Sequence, residues 1–334
     1  MTLPTGTISF KQLAAEYNQP STNISLGDYY YGGTILKSNS CTNVIRTNGT
    51  DFAGYTAHFK NISTSQNNIS LDHYRGKSYY YAKSDDITIS GNNAIVNTST
   101  VEGESPKKNS ENSAYFNVVT SANLTATATN QFACKIVAGN RANSAVYLVN
   151  NHTIYGKGGN GGRGNQNGSI GGNGGTALRL EGNSFVVNNG NIWGGGGGGG
   201  GGNSKRITYK EGYCFPNNTN YSISGSGGGG GAGGGSGGTH GDTQQCNYCG
   251  NGGNGGNGNY NATNAYGNGG SGCGSNRVLG TVCSNVGGRG GDWGDNGVDA
   301  GTKGGSGGSS IIVSTGKYYK LITPGSLKGK QTKV

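Results

Sequence analysis

The sequence predicts a mainly β N-terminal region joined to a sandwich of polyglycine II helices, with very little α-helix, on three observations. Glycine supplies 71 of 334 residues, and nearly all of the excess falls after Tyr155. The glycine runs there carry a period of three, as in Gly158-Gly159-Asn160-Gly161-Gly162-Arg163-Gly164 and Gly252-Gly253-Asn254-Gly255-Gly256-Asn257-Gly258. Residues 1–150, by contrast, are rich in Thr, Ser, Asn, Tyr, Val and Ile.

In that first half, Asp86–Ser90, Ala94–Asn97, Tyr115–Thr120 and Ala145–Val149 alternate apolar and polar residues and read as short strands. One brief helix is expected, Phe10 to Tyr17, with Ser9 as its N-cap. A theme recurs in Thr7-Ile8-Ser9-Phe10, in Asn23-Ile24-Ser25-Leu26-Gly27-Asp28-Tyr29 and in Asn68-Ile69-Ser70-Leu71-Asp72. With the opening Leu3-Pro4-Thr5-Gly6, these segments resemble short modules that recur in fibre, collar and tail-associated proteins of tailed bacteriophages.

In the second half, eight glycine segments are expected: 156–164, 171–176, 194–202, 225–238, 250–258, 267–272, 287–294 and 301–308. A three-residue helix of the polyproline II type has no internal hydrogen bonds, so its backbone groups must pair with neighbouring helices when buried. Glycine at the packed positions lets such helices approach, while Asn, Arg, Lys or Ser in the third position faces solvent. The nine glycines 194–202 span about 28 Å at about 3.1 Å per residue. Disordered linkers and collagen look different, since proline numbers only 5, charged residues are 12% and no strict Gly-X-Y period exists. An internal repeat ties strands to glycine: Val149-Asn150-Asn151-His152-Thr153-Ile154-Tyr155-Gly156 matches Val187-Asn188-Asn189-Gly190-Asn191-Ile192-Trp193-Gly194.

The net charge of +10 favours anionic partners, but the basic residues are scattered and nucleic acid is not expected. No apolar run reaches the roughly 20 residues of a membrane helix, and Met1–Phe10 lacks the pattern of a signal peptide. Catalysis has little support: Asp and Glu total 15, and none of His58, His73, His152 and His240 belongs to a nucleophile or metal signature. Asp292, Asp295 and Asp299 beside Trp293 read as a solvated turn rather than a calcium site. No phosphate-loop motif occurs, and neither a cofactor nor a metal is expected.

The segments Gly171–Leu178 and Asn188–Gly202, and the alternation of glycine blocks with polar, aromatic loops, resemble the receptor-recognising adhesins at the tips of T-even-type long tail fibres. The resemblance covers most of 149–316. It implies a polyglycine II sandwich whose loops bind a host surface glycan, such as lipopolysaccharide, or an outer-membrane protein. It also implies a non-enzymatic virion component, assembled in the host cytoplasm, that contacts other tail or fibre proteins. The expected division is a β-rich attachment region, 1–145, an adhesin domain, 146–316, and a basic tail, 317–334. A structural fibre connector and an ice-binding polyglycine protein are the alternatives.

If successive glycine helices alternate in direction, loops 165–170, 203–224, 259–266 and 295–300 lie at the end distal to the N-terminal region. They hold the expected receptor-binding residues Lys205, Arg206, Tyr209, Lys210, Tyr213, Phe215, Tyr221, Tyr260 and Tyr266, with Trp293 just before the last loop. Tyrosine gives contact area at low entropic cost, and the cations suit phosphate. A break at Ala232 would reverse the downstream order. The same alternation puts loops 239–249 and 273–286 at one end, where Cys246, Cys249, Cys273 and Cys283 become neighbours fit for disulfides, with zinc or free thiols as the other readings.

Overall fold

The computed structural model describes residues 9–16, 81–82, 87–97, 114–137, 145–164, 169–211, 217–239, 254–261, 263–271, 273–276, 280–283, 285–317 and 319–334, with isolated positions 7, 25 and 71. The chain is mainly β. Helix α1 (Phe10–Glu16) is closed by a reciprocal capping box. The Gln12 amide donates to Ser9 Oγ at 3.2 Å and the Ser9 amide to Gln12 Oε1 at 2.8 Å. The recurring segments around residues 23–33 and 68–76 lie almost wholly outside the described residues.

Three parallel sheets dominate, and the chain visits them in the same order turn after turn. The first turn, preceded by β1 (Tyr81–Ala82), holds β2 (Ile87–Ile89) and β3 (Ala94–Asn97). The second holds β4 (Ala114–Thr120), β5 (Leu124–Thr125) and β6 (Cys134–Val137), and the third β7 (Ala145–Asn150), β8 (Thr153–Tyr155) and β9 (Leu178–Leu180). The fourth begins with β10 (Asn183–Asn188) and β11 (Asn191–Trp193). Between that strand and the next of the solenoid come two antiparallel hairpins, β12 (Lys205–Glu211) with β13 (Asn217–Ile223) and β14 (Cys273–Asn276) with β15 (Gly280–Cys283). The fourth turn closes with β16 (Ile311–Val313), and the fifth holds β17 (Tyr319–Thr323), β18 (Ser326–Lys328) and β19 (Gln331–Lys333). Strands β1 and β2, then β4, β7, β10 and β17, form the first side; β5, β8, β11 and β18 the second; β3, β6, β9, β16 and β19 the third. This is a three-sided parallel β-solenoid.

Register stacks like on like inside it. Val118, Leu148, Val186 and Leu321 are successive partners on the first side, and Leu124, Ile154, Ile192 and Leu327 on the second. Cys134, Leu178 and Ile311 stack on the third. Most of these side chains are fully buried and join one apolar core; each contributes about 1.5–3 kcal/mol. One corner is laced by amides: Thr120 Oγ1 donates to Asn150 Oδ1 at 3.0 Å, Asn150 Nδ2 to Asn188 Oδ1 at 2.7 Å, and Asn188 Nδ2 to the Pro324 carbonyl at 2.7 Å. The internal repeat of the sequence is thus two successive solenoid turns, carrying the same asparagine into the same corner.

The glycine segments leave the solenoid at a second corner, between the second and third sides. Segments 156–164 and 194–202 start at β8 and β11 and run in one direction, with Gly156, Gly159 and Gly162 donating to the carbonyls of Trp193, Gly196 and Gly199. Segment 169–175 returns antiparallel, its Gly175, Gly172 and Ser169 carbonyls accepting from Gly195, Gly198 and Gly201. The chain then comes back along 225–232, where Ser226, Gly229 and Ala232 accept from Gly202, Gly199 and Gly196. It reverses at Gly233 and Gly234, whose φ values of 94° and 75° suit glycine. From there 235–238 leads out, 255–258 back, 267–270 out, 287–291 back, 295–298 out and 304–308 back to β16. Ten glycine segments therefore occur among the described residues, two more than the sequence reading counts, because 225–238 is two segments and 295–298 is a further one.

Segment 194–202 is the axis of this block. Its residues donate in rotation to three neighbours: Gly195, Gly198 and Gly201 to 169–175, Gly196, Gly199 and Gly202 to 226–232, and Gly197 and Gly200 to Asp295 and Val298. Its carbonyls accept from three more, through Gly159 and Gly162, Gly288 and Gly291, and Gly305 and Gly308. All nine residues are buried. The sheets also cross the division expected at 145/146 and 316/317. Strand β7 pairs β4 on one side and β10 on the other, and residues 319–333, expected as a basic tail, are the three strands of the last turn.

Candidate functional site

The direction of the glycine segments sorts their connections into two sets. Among the described residues, outgoing segments end distal to the solenoid at Gly164, Gly202, Thr239, Gly270 and Val298, and the chain turns against the solenoid at 233–234, 259–261 with 263–266, and 292–294. The reversal at Gly233–Gly234 flips the order expected downstream. Tyr260, Tyr266 and Trp293 are consequently proximal, not distal.

These three residues have structural surroundings. Trp293 is only 2% exposed, its Nε1 donates to the Asn261 carbonyl at 2.7 Å, and its ring lies 5.0 Å from Tyr155 and 5.5 Å from Trp193. Trp193 in turn donates to Ser326 Oγ at 3.0 Å and carries the Lys328 ammonium 4.6 Å above its ring. Tyr260 packs edge-on to Tyr155, and partial burial raises its pKa. The Tyr266 hydroxyl accepts from Arg289 Nη1 at 2.7 Å, with the same guanidinium 4.6 Å from the ring centroid. Tyr155, Trp193, Tyr260 and Trp293 thus form one aromatic cluster where the glycine block meets the solenoid, while Tyr266 pairs with Arg289 within the block.

Of the remaining candidates, Lys205, Arg206, Tyr209, Lys210 and Tyr221 lie on strands between the distal end of segment 194–202 and the start of segment 225–232. Strands β12 and β13 form a ribbon in which Ile207 faces Tyr221 and Tyr209 faces Thr219 across the ladder. The two-residue period places positions 205, 207, 209, 219 and 221 on one face and positions 206, 210, 218 and 220 on the other. Tyr209, Tyr221 and Lys205 therefore share a face, and Arg206 and Lys210 the opposite one. Tyr213 and Phe215 lie in the connection 212–216, outside the described residues.

At the foot of this ribbon the distal connections are tied together. Asn203 Nδ2 donates to the Gly301 carbonyl at 3.2 Å, Asn285 Nδ2 to the Asn203 carbonyl at 2.8 Å, and Thr302 Oγ1 to the Ser169 carbonyl at 2.7 Å. Asn203 Oδ1 and Ser204 Oγ are buried there without a hydrogen-bond partner. Toward the same end Ile170, Val286 and Val298 are 68%, 57% and 42% exposed. The sequence reading passes over these three; their signal is an aliphatic residue beside the end of a glycine run.

The acidic residues do not converge. Asp292 and Asp295 are proximal and Asp299 distal; Asp292 Oδ1 accepts from the Trp293 amide and Asp299 Oδ1 from Gly304, each at 2.9 Å. Among the described residues no group of His, Cys, Asp and Glu is placed to hold a metal. Burial in the solenoid pushes the Cys134 thiol up to about 12. Cys41, Cys214, Cys246 and Cys249 lie outside the described residues, while Cys273 and Cys283 face each other across the second hairpin. No helix among the described residues is long and apolar enough to cross a membrane.

A family model described as phage tail fibre adhesin Gp38 matches residues 84–332, which span the solenoid and the whole glycine block. No curated protein matches the chain. Among solved structures, a chain in the crystal structure of the gp37-gp38 adhesin tip complex of the bacteriophage S16 long tail fiber is similar. It has 19% identity and a TM-score of 0.34, over 87% of this chain and 96% of that one.

Proposed function

The chain belongs to the phage tail fibre adhesin Gp38 family, so it is a tail fibre adhesin, and from that premise we propose that it holds a host surface receptor with the distal connections of the glycine block. One observation carries this reading. Among the described residues, the antiparallel ribbon β12–β13 departs from the distal end of segment 194–202 and leads back into 225–232, and Asn203 at its foot is tied to Gly301 and Asn285. The glycine block is read as a polyglycine II sandwich, supported by the rotation of donors along 194–202 among three neighbours, as a three-residue helix requires.

In this reading the solenoid, with the N-terminal region 1–145, is the part held by other fibre proteins, and residues 156–309 are the receptor-binding part. The chain acts by binding rather than by catalysis. Tyr209 and Tyr221, with Tyr213 and Phe215 in the connection between the strands, supply aromatic surface, and Lys205, Arg206 and Lys210 the charge. The net charge of +10 favours an anionic surface glycan, with an outer-membrane protein as the competing receptor.

Replacing Tyr209, Tyr213 and Tyr221 together with Ala abolishes binding of the purified chain to host cells and leaves its unfolding temperature within a few degrees of the parent. Tyr266→Ala, in the proximal set, leaves binding unchanged. Full adsorption by the triple variant overturns the assignment. A glycan receptor makes binding to extracted glycan weaken as salt rises; salt-independent binding to protein-containing membranes alone identifies the other receptor class.

A further inference from the structure

The second hairpin sets two cysteines directly opposite each other. In β14 and β15 the register pairs Cys273 with Cys283, Gly274 with Val282, Ser275 with Thr281 and Asn276 with Gly280. Residues opposite one another in an antiparallel ladder have Cα atoms about 4.5 or 5.5 Å apart, depending on whether the pair is hydrogen-bonded. Both values fall within the roughly 4.4–6.8 Å that a disulfide spans. Positions opposite across a ladder also lie on one face of the ribbon. The backbone therefore places the pair within bridging reach without rearrangement.

We propose that Cys273 and Cys283 form a disulfide that staples this distal hairpin once the particle leaves a reducing compartment. Two thiols give up two protons and two electrons to form the bond, and a disulfide oxidant such as oxidised glutathione takes them up, leaving two molecules of reduced glutathione. Its consequence for adhesion rests on the distal side being the receptor side; the pairing itself does not. Connection 271–286 departs from and rejoins glycine segments 267–270 and 287–291, so a staple at residues 273 and 283 closes the hairpin where it meets the block. The closed loop has fewer conformations to lose on binding.

The sequence offers a direct test. Arg277 is the one Lys or Arg between the two cysteines, so trypsin separates peptide 211–277, with Cys273, from peptide 278–289, with Cys283. The full-length chain is incubated with oxidised glutathione, its remaining thiols are blocked, and it is digested without reductant. The expected product is a 211–277/278–289 cross-link that fragmentation assigns to Cys273, that reductant dissolves, and that is lost in Cys273→Ser and kept in Cys214→Ser. Cys283 recovered as a free thiol, glutathionylated, or joined to Cys214, Cys246 or Cys249 overturns the proposal. So does zinc retained by the purified chain and released by Cys283→Ser. Binding of the oxidised and reduced chains to host cells is measured in parallel, with a several-fold loss expected on reduction. Equal binding with the cross-link present sinks the adhesive role of the staple and spares the pairing.

Discussion

Leu148 and Gly198 are both buried at the centre of their surroundings, and they hold their places for opposite reasons. Leu148 lies between Val118 and Val186 in a column of matched side chains, one per solenoid turn. Gly198 donates to the Gly172 carbonyl and accepts from Gly305, and a Cβ built on it would fall on the carbonyl oxygen of Asn160. The solenoid is specified by the side chains that fill it; the glycine block is specified by their absence, which lets backbones approach and satisfy one another. A solenoid can hold itself together turn by turn. A glycine segment cannot, because its hydrogen bonds all go to other segments.

The largest effect expected from this difference is that of a single methyl group at the axis of the block. Gly198→Ala places its Cβ on backbone that has no flexible end to move aside, so the loss of stability exceeds about 4 kcal/mol. The same change at Gly256, an exposed position whose Cβ would lie 3.3 Å from the Asn268 nitrogen, stays within about 1 kcal/mol. Thermal unfolding of the two variants measures the contrast, and a mild Gly198→Ala would mean that the block yields where tight packing forbids it.

Next in size is the corresponding test of the solenoid. Leu148→Ala leaves a cavity between two turns and costs about 2–5 kcal/mol. Denaturant unfolding monitored by the near-ultraviolet signal of the Trp193–Trp293 cluster reads both bodies at once. A variant that destabilises the solenoid but leaves that signal unshifted would show the two to be energetically independent.

A smaller loss follows removal of one member of the corner ladder. Asn150→Ala removes the acceptor of the Thr120 hydroxyl proton and the donor to Asn188 Oδ1 in a buried site, at about 1–3 kcal/mol. Asn189→Ala, whose partner Asn151 lies on the exposed side of the same corner, costs much less. Equal losses in the two variants would mean that the ladder is not buried in solution.

How much of the molecule is legible in the sequence depends on whether the signal is local. Alternation locates β2, β3, β4 and β7, Ser9 announces the cap of α1, and the Val149/Val187 repeat announces the solenoid pitch. The solenoid itself is hidden, because in its third and fourth turns glycine segments separate the third side from the second: Trp193 and Ile311 belong to one turn with the greater part of the glycine block between them. Likewise the order of glycine segments is readable only as far as Ala232, because Ala232-Gly233-Gly234 looks like the middle of one run and is in fact a turn. That one reversal carries Tyr260, Tyr266 and Trp293 to the proximal side, while Tyr209 and Tyr221, upstream of it, stay distal.

The smallest effect tests how the block ends at water. The sequence reading has the third-position asparagines simply facing solvent, and four exposed asparagines of the block also accept from a backbone amide of an outer segment. Asn160 Oδ1 takes the Ser236 amide at 3.1 Å, Asn257 that of Gly237 at 2.8 Å, Asn173 that of Ser306 at 2.9 Å and Asn296 that of Gly307 at 2.9 Å. The outermost segments lack a neighbour on one side, and the asparagine side chain stands in for the missing backbone carbonyl. Asn257→Ala hands the Gly237 amide to water, so the loss is about 0.5–1 kcal/mol, at the low end for a hydrogen bond because the site is wet. Amide exchange gives the local readout: Gly237 loses protection in Asn257→Ala, while Gly238, which donates to the Gly228 carbonyl, keeps it. Unchanged protection at Gly237 would mean that the asparagines decorate the surface and that the outer segments hold their place through their inner hydrogen bonds alone.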